Sequence, residues 1–191
     1  FSLREKEQYL QKIHLWMDRL KKRQWKSRTK RCLKESTEFS IEKERGISYY
    51  YRRDFPAHLL KKIVEKHIRL RMEKPSALTK ESPDLTISIL EEGSRKLSVK
   101  EYRPVIIWDR FRENFRRSKG LKAWIAGNGL RVRGVPSLKP LGLMEKRNWF
   151  GLRESFFLME VKEGGQELDR YILGNLEGYK ERRIFIKAFA Q

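Results

Sequence analysis

The chain has 191 residues, 39% of them hydrophobic and 12% aromatic, which is enough to bury the core of a folded domain. Its net charge of +20 predicts a surface that attracts polyanions, a class that includes RNA, DNA, anionic lipids and nucleotides. A single cysteine, Cys32, excludes a disulfide framework and a thiolate metal site, and no apolar run of about 18 residues predicts a membrane span.

The first predicted element is a basic amphipathic helix over residues 2–34. Its apolar positions recur at spacings of three, four and seven: Leu3, Leu10, Ile13, Met17 and Leu20. Residues 21–31 carry seven cations, and Trp16 and Trp25 are suited to the headgroup boundary of a membrane. The sequence alone also allows an ordinary solvated face or a contact with nucleic-acid phosphates.

A hairpin and a second helix follow. Residues 37–51 alternate between apolar and polar side chains, with Gly46 at the turn. Apolar residues at helical spacing then predict a short helix over residues 59–68. His58 and His67 lie nine positions apart, too far to share one metal-binding face, and we interpret them as residues of the helix surface.

The rest of the chain predicts an α+β fold. Its elements are, in order, strands at residues 77–80, 85–90 and 97–102, a helix at residues 109–132, and strands at residues 138–145 and 155–160. A flexible connection at residues 162–165 and two helices at residues 166–176 and 178–191 complete the order. We therefore expect a five-stranded antiparallel sheet with one helix packed on it.

The predicted strand at residues 97–102, the third of the three strands that precede the helix at residues 109–132, carries the most informative pattern. Alternation divides it into two faces, one with Leu97, Val99 and Glu101 and the other with Ser98, Lys100 and Tyr102. A small side chain at Ser98 leaves space for an adenine ring, and the ammonium of Lys100 can reach phosphate oxygens as a compact point charge. The pattern predicts a nucleotide cleft. Lys96 begins the same strand on the same face but should lie too far along it to reach the phosphates.

A family resemblance rests on the stretch between Trp124 and Glu160. Its motifs are Leu130-Arg-Val-Arg-Gly134-Val-Pro136-Ser-Leu-Lys-Pro140-Leu-Gly-Leu, then Glu145-Lys-Arg, then Glu154-Ser-Phe-Phe-Leu-Met-Glu160. Together with the order of strands and helix, they make residues 77–191 resemble the bacterial lipopolysaccharide core kinases, which phosphorylate Kdo or heptose sugars. The resemblance implies the small lobe of a protein-kinase-like fold.

The resemblance also implies a set of site residues and partners. Lys100 matches the lysine that binds phosphate, and the hinge whose backbone pairs with adenine includes Glu160, Val161 and Lys162. The cofactors would be ATP and magnesium, and the acceptor would be a sugar hydroxyl on a lipid-linked sugar. No nucleic-acid partner is implied. The site would lie in the cytoplasm, at the inner face of the bacterial inner membrane, which agrees with the reducing compartment that a single cysteine indicates.

Two features depart from the pattern of protein kinases. The loop over residues 80–86, which should cover the phosphates, contains no glycine. The helix glutamate that pairs with the strand lysine would fall at Ala123, and the only glutamate of that predicted helix is Glu113. The partner of Lys100 is therefore not identified from the sequence.

The sequence contains no catalytic loop. None of its three histidines is followed two residues later by aspartate, and no Asp-Phe-Gly lies downstream of Lys100. We expect the catalytic base and the magnesium ligands beyond residue 191, so the segment alone is expected to be inactive. The predicted divisions are a basic helix at 1–36, a hairpin and helix extension at 37–74, a kinase-like small lobe at 77–162, and the hinge with the start of a large lobe at 163–191.

Two alternative functions stay open. A basic RNA-binding or ribosome-associated protein would explain the net charge and the five tryptophans. Residues 154–177 argue against it because they contain six acidic and only two basic residues, so the basic character is regional. The other alternative is a kinase-like chain without catalysis that acts as an interaction module.

Overall fold

The structure is a computed structural model that describes residues 3–104 and 117–161, together with Gly178 and Arg183. The chain divides into two compact units, Phe1–Val161 and Lys162–Gln191, and all helices and strands named below belong to the first. The predicted connection at residues 162–165 and the predicted helices at 166–176 and 178–191 lie outside the described residues, apart from Gly178 and Arg183. Residues 109–116 of the predicted basic helix lie outside them as well.

Three α-helices are described: α1 at Leu3–Thr29, α2 at Ala57–Glu73 and α3 at Lys119–Val132. A short 3-10 turn, Lys30–Leu33, continues α1, so the helix predicted over residues 2–34 is confirmed. The side chain of Ser118 caps α3 by accepting a hydrogen bond from the backbone N–H of Leu121. At the other end Gly134 adopts a φ of 74°, a conformation that glycine takes at little cost, and the helix stops there as predicted.

The seven strands form one antiparallel sheet. They are β1 at Phe39–Glu44, β2 at Ile47–Arg52, β3 at Lys80–Glu81, β4 at Leu85–Glu92, β5 at Arg95–Tyr102, β6 at Pro140–Asn148 and β7 at Gly151–Glu160. Their order across the sheet is β1-β2-β6-β7-β5-β4-β3. The predicted α+β class is confirmed, but the predicted count of five strands is wrong. The reason is that β2 pairs with β6, as Ile47 does with Lys146, so the hairpin at residues 37–51 extends the same sheet.

The strand predicted at residues 77–80 is almost absent. A 3-10 turn, Pro75–Ala77, takes its place, and β3 is only two residues long. Proline favours the first position of such a turn because its φ is fixed and it has no N–H to donate. Of the loop predicted over residues 80–86, residues 80–81 and 85–86 belong to β3 and β4, and residues 82–84 form a tight turn in which the Ser82 N–H donates to the Leu85 carbonyl over 2.9 Å.

A separate core covers each face of the sheet. On one face α2 contributes Leu60, Ile63 and Val64, which pack against β5 and β7 residues such as Val99 and Phe156. On the other face α3 and the end of α1 enclose a second cluster: Cys32, Phe39, Trp124, Leu143, Phe157 and Met159. The alternation predicted for β5 is confirmed, because Leu97, Val99 and Glu101 are buried on the α2 face.

Close contacts hold α3 against one face of the sheet. The indole N–H of Trp124 donates to the Cys32 carbonyl over 2.9 Å, and the Phe39 ring meets the Trp124 ring edge-on at 5.8 Å. A Cβ placed on Gly120 would lie 2.6 Å from the Ser155 hydroxyl oxygen, so only glycine allows this approach of helix to sheet. Burial raises the pKa of the Cys32 thiol to about 12, which keeps it neutral and suits its place in the core.

Candidate functional site

The α3 face of β4, β5 and β7 carries an open apolar strip. Strand register aligns Ile89 of β4 with Ser98 of β5 and Met159 of β7, and one step along it aligns Ile87 with Lys100 and Phe157. Ile89 is 47% exposed, whereas Ser98 and Met159 are buried. Solvent therefore reaches this part of the strip at Ile89. We name the set Ile87, Ile89, Ser98, Lys100, Phe157 and Met159 the strand platform.

Sequence reasoning identified Ser98 and Lys100 of the strand platform but missed its apolar members. The signal was present in the alternation of β4, which places Ile87 and Ile89 on the face opposite Thr86, Ser88 and Leu90. It could be used only once the register between β4 and β5 was known. A nucleotide base needs such apolar contacts because hydrogen bonds alone do not exclude water from its faces.

Lys100 is the only charged side chain of the strand platform. It is half-buried on the side of the sheet that α3 covers, where its strand neighbour Tyr102 packs against the Trp124 cluster. Within residues 3–104 and 117–161, no carboxylate lies within ion-pair distance of Lys100, and its ammonium donates no hydrogen bond there. A partly desolvated ammonium without a counter-ion favours the approach of an anion.

The predicted hinge residues lie where β7 ends. Glu160 pairs with Leu97, and Val161 follows immediately, so both adjoin the start of β5. The Glu160 N–H donates to the Lys139 carbonyl and the Val161 N–H to the Lys96 carbonyl, over 2.9 and 2.8 Å. Both N–H groups are thus already used, and only the carbonyl oxygens of these two residues are left for an adenine amino group. Lys162, the third predicted hinge residue, lies outside the described residues.

The described part of α3 supplies no acidic partner for Lys100. Its 14 residues contain neither aspartate nor glutamate, and Ala123, where the partner would fall, packs against the Trp124 cluster. Glu113 lies outside the described residues. The buried carboxylate on this face is Glu145 of β6, which accepts a hydrogen bond from the Ser118 hydroxyl and so ties the start of α3 to the sheet.

A second polar cluster lies on the α2 face, and it corrects the prediction for His67. This histidine is fully buried rather than on the helix surface. Its Nδ1 lies 2.6 Å from the Ser88 hydroxyl and its Nε2 lies 3.0 Å from a carboxylate oxygen of Glu101. Arg71 donates to the other Glu101 oxygen. The order serine, histidine, glutamate is that of a hydrolase triad, but all three are 0% exposed and no substrate can reach them.

The charge state of Glu101 follows from its partners. Burial alone would raise the pKa of this carboxyl, but the hydrogen bond from His67 and the nearby Arg71 and Arg103 guanidinium groups outweigh it and lower the pKa. Glu101 is therefore ionised at neutral pH and only accepts hydrogen bonds, so the Nε2 of His67 is the donor. This cluster links α2 to β4 and β5, and its role is structural.

The described residues contain neither a candidate metal site nor a candidate membrane span. No group of three or more histidine, cysteine, aspartate or glutamate side chains is arranged there to hold a metal ion. None of the described helices combines the length and apolar character needed to span a lipid bilayer. Among the described residues of β5 and its neighbouring strands, the strand platform combines buried apolar side chains with the half-buried Lys100 and the exposed Ile89.

Comparison with known proteins gives no family assignment. The chain matches no protein-family model, no curated protein and no solved structure.

Proposed function

We propose that this chain is the ATP-binding part of a sugar kinase of the lipopolysaccharide core type, in which phosphate passes from ATP to a hydroxyl of Kdo or heptose. The order of the elements supports the proposal. After the hairpin and α2, the chain forms three strands, then α3, then two strands, which is the order that the resemblance implies. The lysine-bearing strand is the third of the meander, as in protein kinases.

The observation that carries the proposal is the environment of Lys100. A half-buried ammonium stands at the end of an apolar strip, and the described residues offer it no carboxylate. In such a site the anion comes from the ligand, and a triphosphate provides it next to a base that the strip can hold. We assign Lys100 to the phosphates, Ile89, Ser98 and Met159 to the adenine ring, and the Glu160 carbonyl to its amino group.

The assignment is limited to nucleotide binding. Phosphoryl transfer needs magnesium and a base that accepts the hydroxyl proton, and we assign neither role to a described residue. Lys162 remains a proposed hinge residue whose N–H would donate to the ring.

The proposal includes contact with an anionic membrane surface. α1 exposes a stripe at helical spacing in which Trp16 is 62% and Ile13 50% exposed, and the cations of residues 21–31 follow it along the chain. Each basic residue near an anionic surface contributes about 1 kcal/mol of binding free energy. Flotation with anionic liposomes should carry the chain upward, whereas neutral liposomes should not. Equal binding to both kinds, or binding to neither, would contradict membrane contact.

The proposal is tested by replacing Lys100 with methionine, which removes the charge and keeps a similar stem. We expect Lys100→Met to weaken ATP binding by about tenfold or more, because charge-assisted hydrogen bonds to phosphate are lost. In the full-length protein that contains this chain, we expect phosphate transfer to a Kdo- or heptose-bearing acceptor to be lost. Calorimetric titration with ATP and transfer of labelled phosphate are the two measurements.

The matched control is Lys96→Met on the same strand. Lys96 is exposed and lies four residues away, or about 13 Å along the strand, which is too far for the same phosphates. Its replacement should leave ATP binding near the wild-type value. If Lys100→Met binds ATP as well as Lys96→Met does, Lys100 is an ordinary surface charge. Salt-sensitive RNA binding without any ATP binding would favour the RNA-binding alternative.

A further inference from the structure

A second basic site lies at the opposite edge of the sheet. A cavity of about 540 Å³ opens between the end of α1, the beginning of the β1–β2 hairpin and the C-terminal half of α3. Its charged and polar lining consists of Arg28, Arg31, Arg52, Arg131, Glu38 and Asn128. We name it the arginine groove. Its size matches that of sites for small organic ligands and exceeds what a single ion fills.

The charges in the arginine groove do not balance. Four guanidinium groups share it with one carboxylate, that of Glu38. Arg52 is the arginine that acidic groups partly neutralise, since it lies 4.0 Å from Glu38 and 3.2 Å from Asp54. Arg28, Arg31 and Arg131 form no ion pair within residues 3–104 and 117–161. Like charges gathered in a concave site raise the local potential and favour an anionic ligand.

The elements that carry the arginines pack closely, so the backbone positions from which these side chains extend are set before any ligand arrives. Trp124 of α3 is hydrogen-bonded to the Cys32 carbonyl, which fixes α3 against the turn that carries Arg31. Phe39 at the groove floor is buried, and the Arg52 guanidinium lies 5.3 Å from the centre of its ring. A Cβ on Gly129 would lie 3.2 Å from the Thr29 side chain, so α1 and α3 touch closely here. Preorganisation lowers the entropic cost of binding.

We propose that the arginine groove binds a phosphate monoester group. The planar guanidinium donates paired N–H groups that match two phosphate oxygens, and it stays charged at every physiological pH. Arginines from α1, the adjoining turn and α3 can approach one phosphate from different directions. A carboxylate ligand has fewer acceptor oxygens for these contacts, and an uncharged ligand gains no attraction from the net positive charge of the groove.

This site is separate from the strand platform, and the inference does not rest on the proposed kinase function. The groove lies at β1, whereas Lys100 is on β5, and the sheet order places β2, β6 and β7 between them. Four inter-strand steps of about 4.8 Å correspond to about 19 Å. The α3 helix covers the same face between the two sites. A ligand in the groove is therefore not the ATP proposed for Lys100.

The phosphate could be part of a lipid headgroup or of a free phosphorylated compound, and two probes distinguish these sources. Glucose 1-phosphate is titrated calorimetrically into the chain, and flotation compares phosphatidylcholine vesicles that contain phosphatidic acid with vesicles that contain phosphatidylserine, which is anionic but carries a phosphate diester. The groove variant is the double substitution Arg31→Gln with Arg131→Gln. The control is Arg19→Gln with Arg69→Gln, which removes the same charge from exposed positions on α1 and α2.

We expect the groove variant to lose at least about tenfold in affinity for the probe that binds, while the control changes by less than about twofold. Loss toward glucose 1-phosphate and phosphatidic acid supports recognition of the phosphate monoester itself, and loss toward phosphatidic acid but not phosphatidylserine supports a lipid headgroup. An equal loss toward both kinds of anionic vesicle would instead reflect the membrane contact of α1 and would overturn the inference. Both variants should melt at the wild-type temperature because their positions are exposed. Equal losses in the two variants, no wild-type binding to either probe, or a loss confined to a single-stranded RNA oligonucleotide would overturn the inference.

Discussion

Glu101 and Lys100 are neighbours in β5, yet their side chains lie on opposite faces of the sheet and their charges have opposite environments. Glu101 is fully buried, and His67 and Arg71 hydrogen-bond to its two oxygens. Lys100 is half-buried, and no residue in the described ranges neutralises it. A charge that is buried with all its partners contributes to the fold, whereas a charge that lacks one is available to a ligand.

The comparison shows why the number of titratable groups in a cluster does not identify the functional site. The α2 face has the richer cluster, including the serine, histidine and glutamate order of a triad, but it is closed to solvent. On the α3 face the strand platform has one charged side chain, Lys100, beside an apolar strip that is exposed at Ile89. The two faces differ in exposure to solvent and in whether a charge has an ion-pair partner among the described residues, rather than in the number of polar groups. The following predictions test that distinction.

The largest effect on stability is expected for Glu101→Gln. The substitution keeps the size of the side chain but leaves Arg71 and Arg103 without their carboxylate. Removing one partner of a buried ion pair costs about 3 kcal/mol, which for a chain of this length lowers Tm by about 6–12 °C. Glu73→Gln at the exposed end of α2 is the control and should change Tm by less than about 2 °C. A thermal melt compares them, and equal midpoints would mean that the cluster is not structural.

A smaller loss is expected for Gly120→Ala on the other face. The new methyl group would lie 2.6 Å from the Ser155 hydroxyl oxygen and 3.0 Å from a Leu143 methyl carbon, so helix and sheet must separate. Overpacking of this kind costs about 1–3 kcal/mol of unfolding free energy. Ser155→Ala removes the nearer atom, a buried hydroxyl that has no partner among the described residues. Urea unfolding should show that it restores part of the loss, and the absence of any rescue would contradict this packing.

The pH dependence of stability gives a second test of the Glu101 cluster. The pKa of the Glu101 carboxyl is lower in the folded chain than in the unfolded chain. The stabilising contribution of this carboxylate is therefore complete above the unfolded pKa of about 4.3. The contribution is lost as the pH falls through the lower, folded value. The difference in unfolding free energy between wild type and Glu101→Gln should therefore be constant above about pH 5 and shrink as the pH is lowered further, through the folded pKa. A difference that stays constant below about pH 5 would contradict an ionised Glu101.

The smallest effect on stability is expected for Lys100→Met. No described residue loses an ion pair, and the methionine stem covers the same apolar surface, so the unfolding free energy should change by less than about 0.5 kcal/mol. Urea unfolding provides the measurement. A loss as large as that of Glu101→Gln would show that Lys100 is a structural charge like its neighbour and would remove the distinction between the two faces.

Local patterns were enough to predict which face each β5 residue occupies, because alternation along a strand is a property of the strand itself. The long basic helix α1, the Gly46 turn and the helix stop at Gly134 followed from local signals in the same way. The burial of His67 did not, because it depends on contacts with Ser88 and Glu101, which lie far away in sequence. A residue can be recognised as part of such a cluster only when its partners are known.

The strand order of the sheet and the apolar members of the strand platform could not be predicted for the same reason, because both depend on which strands pair. The hairpin was predicted, but its union with β6 rests on pairs such as Tyr50 with Leu143, which no local pattern indicates. The apolar members of the strand platform depend on the register of β4 with β5. The arginine groove combines two elements near the start of the chain with α3, so composition predicted its charge but not its place.

The pairing of β2 with β6 has a practical consequence for shortened forms of this protein. A chain that begins at residue 77, where the kinase-like lobe was predicted to start, would lose both hairpin strands and leave β6 as an open edge. The freed backbone groups opposite Tyr49, Tyr50 and Tyr51 would offer a template for strands of other molecules. In the intact sheet one edge is β1, which ends in the charged run Glu42-Lys43-Glu44, and the other is the two-residue β3. Both are edges of a kind that discourages aggregation, so the hairpin protects the sheet from self-association.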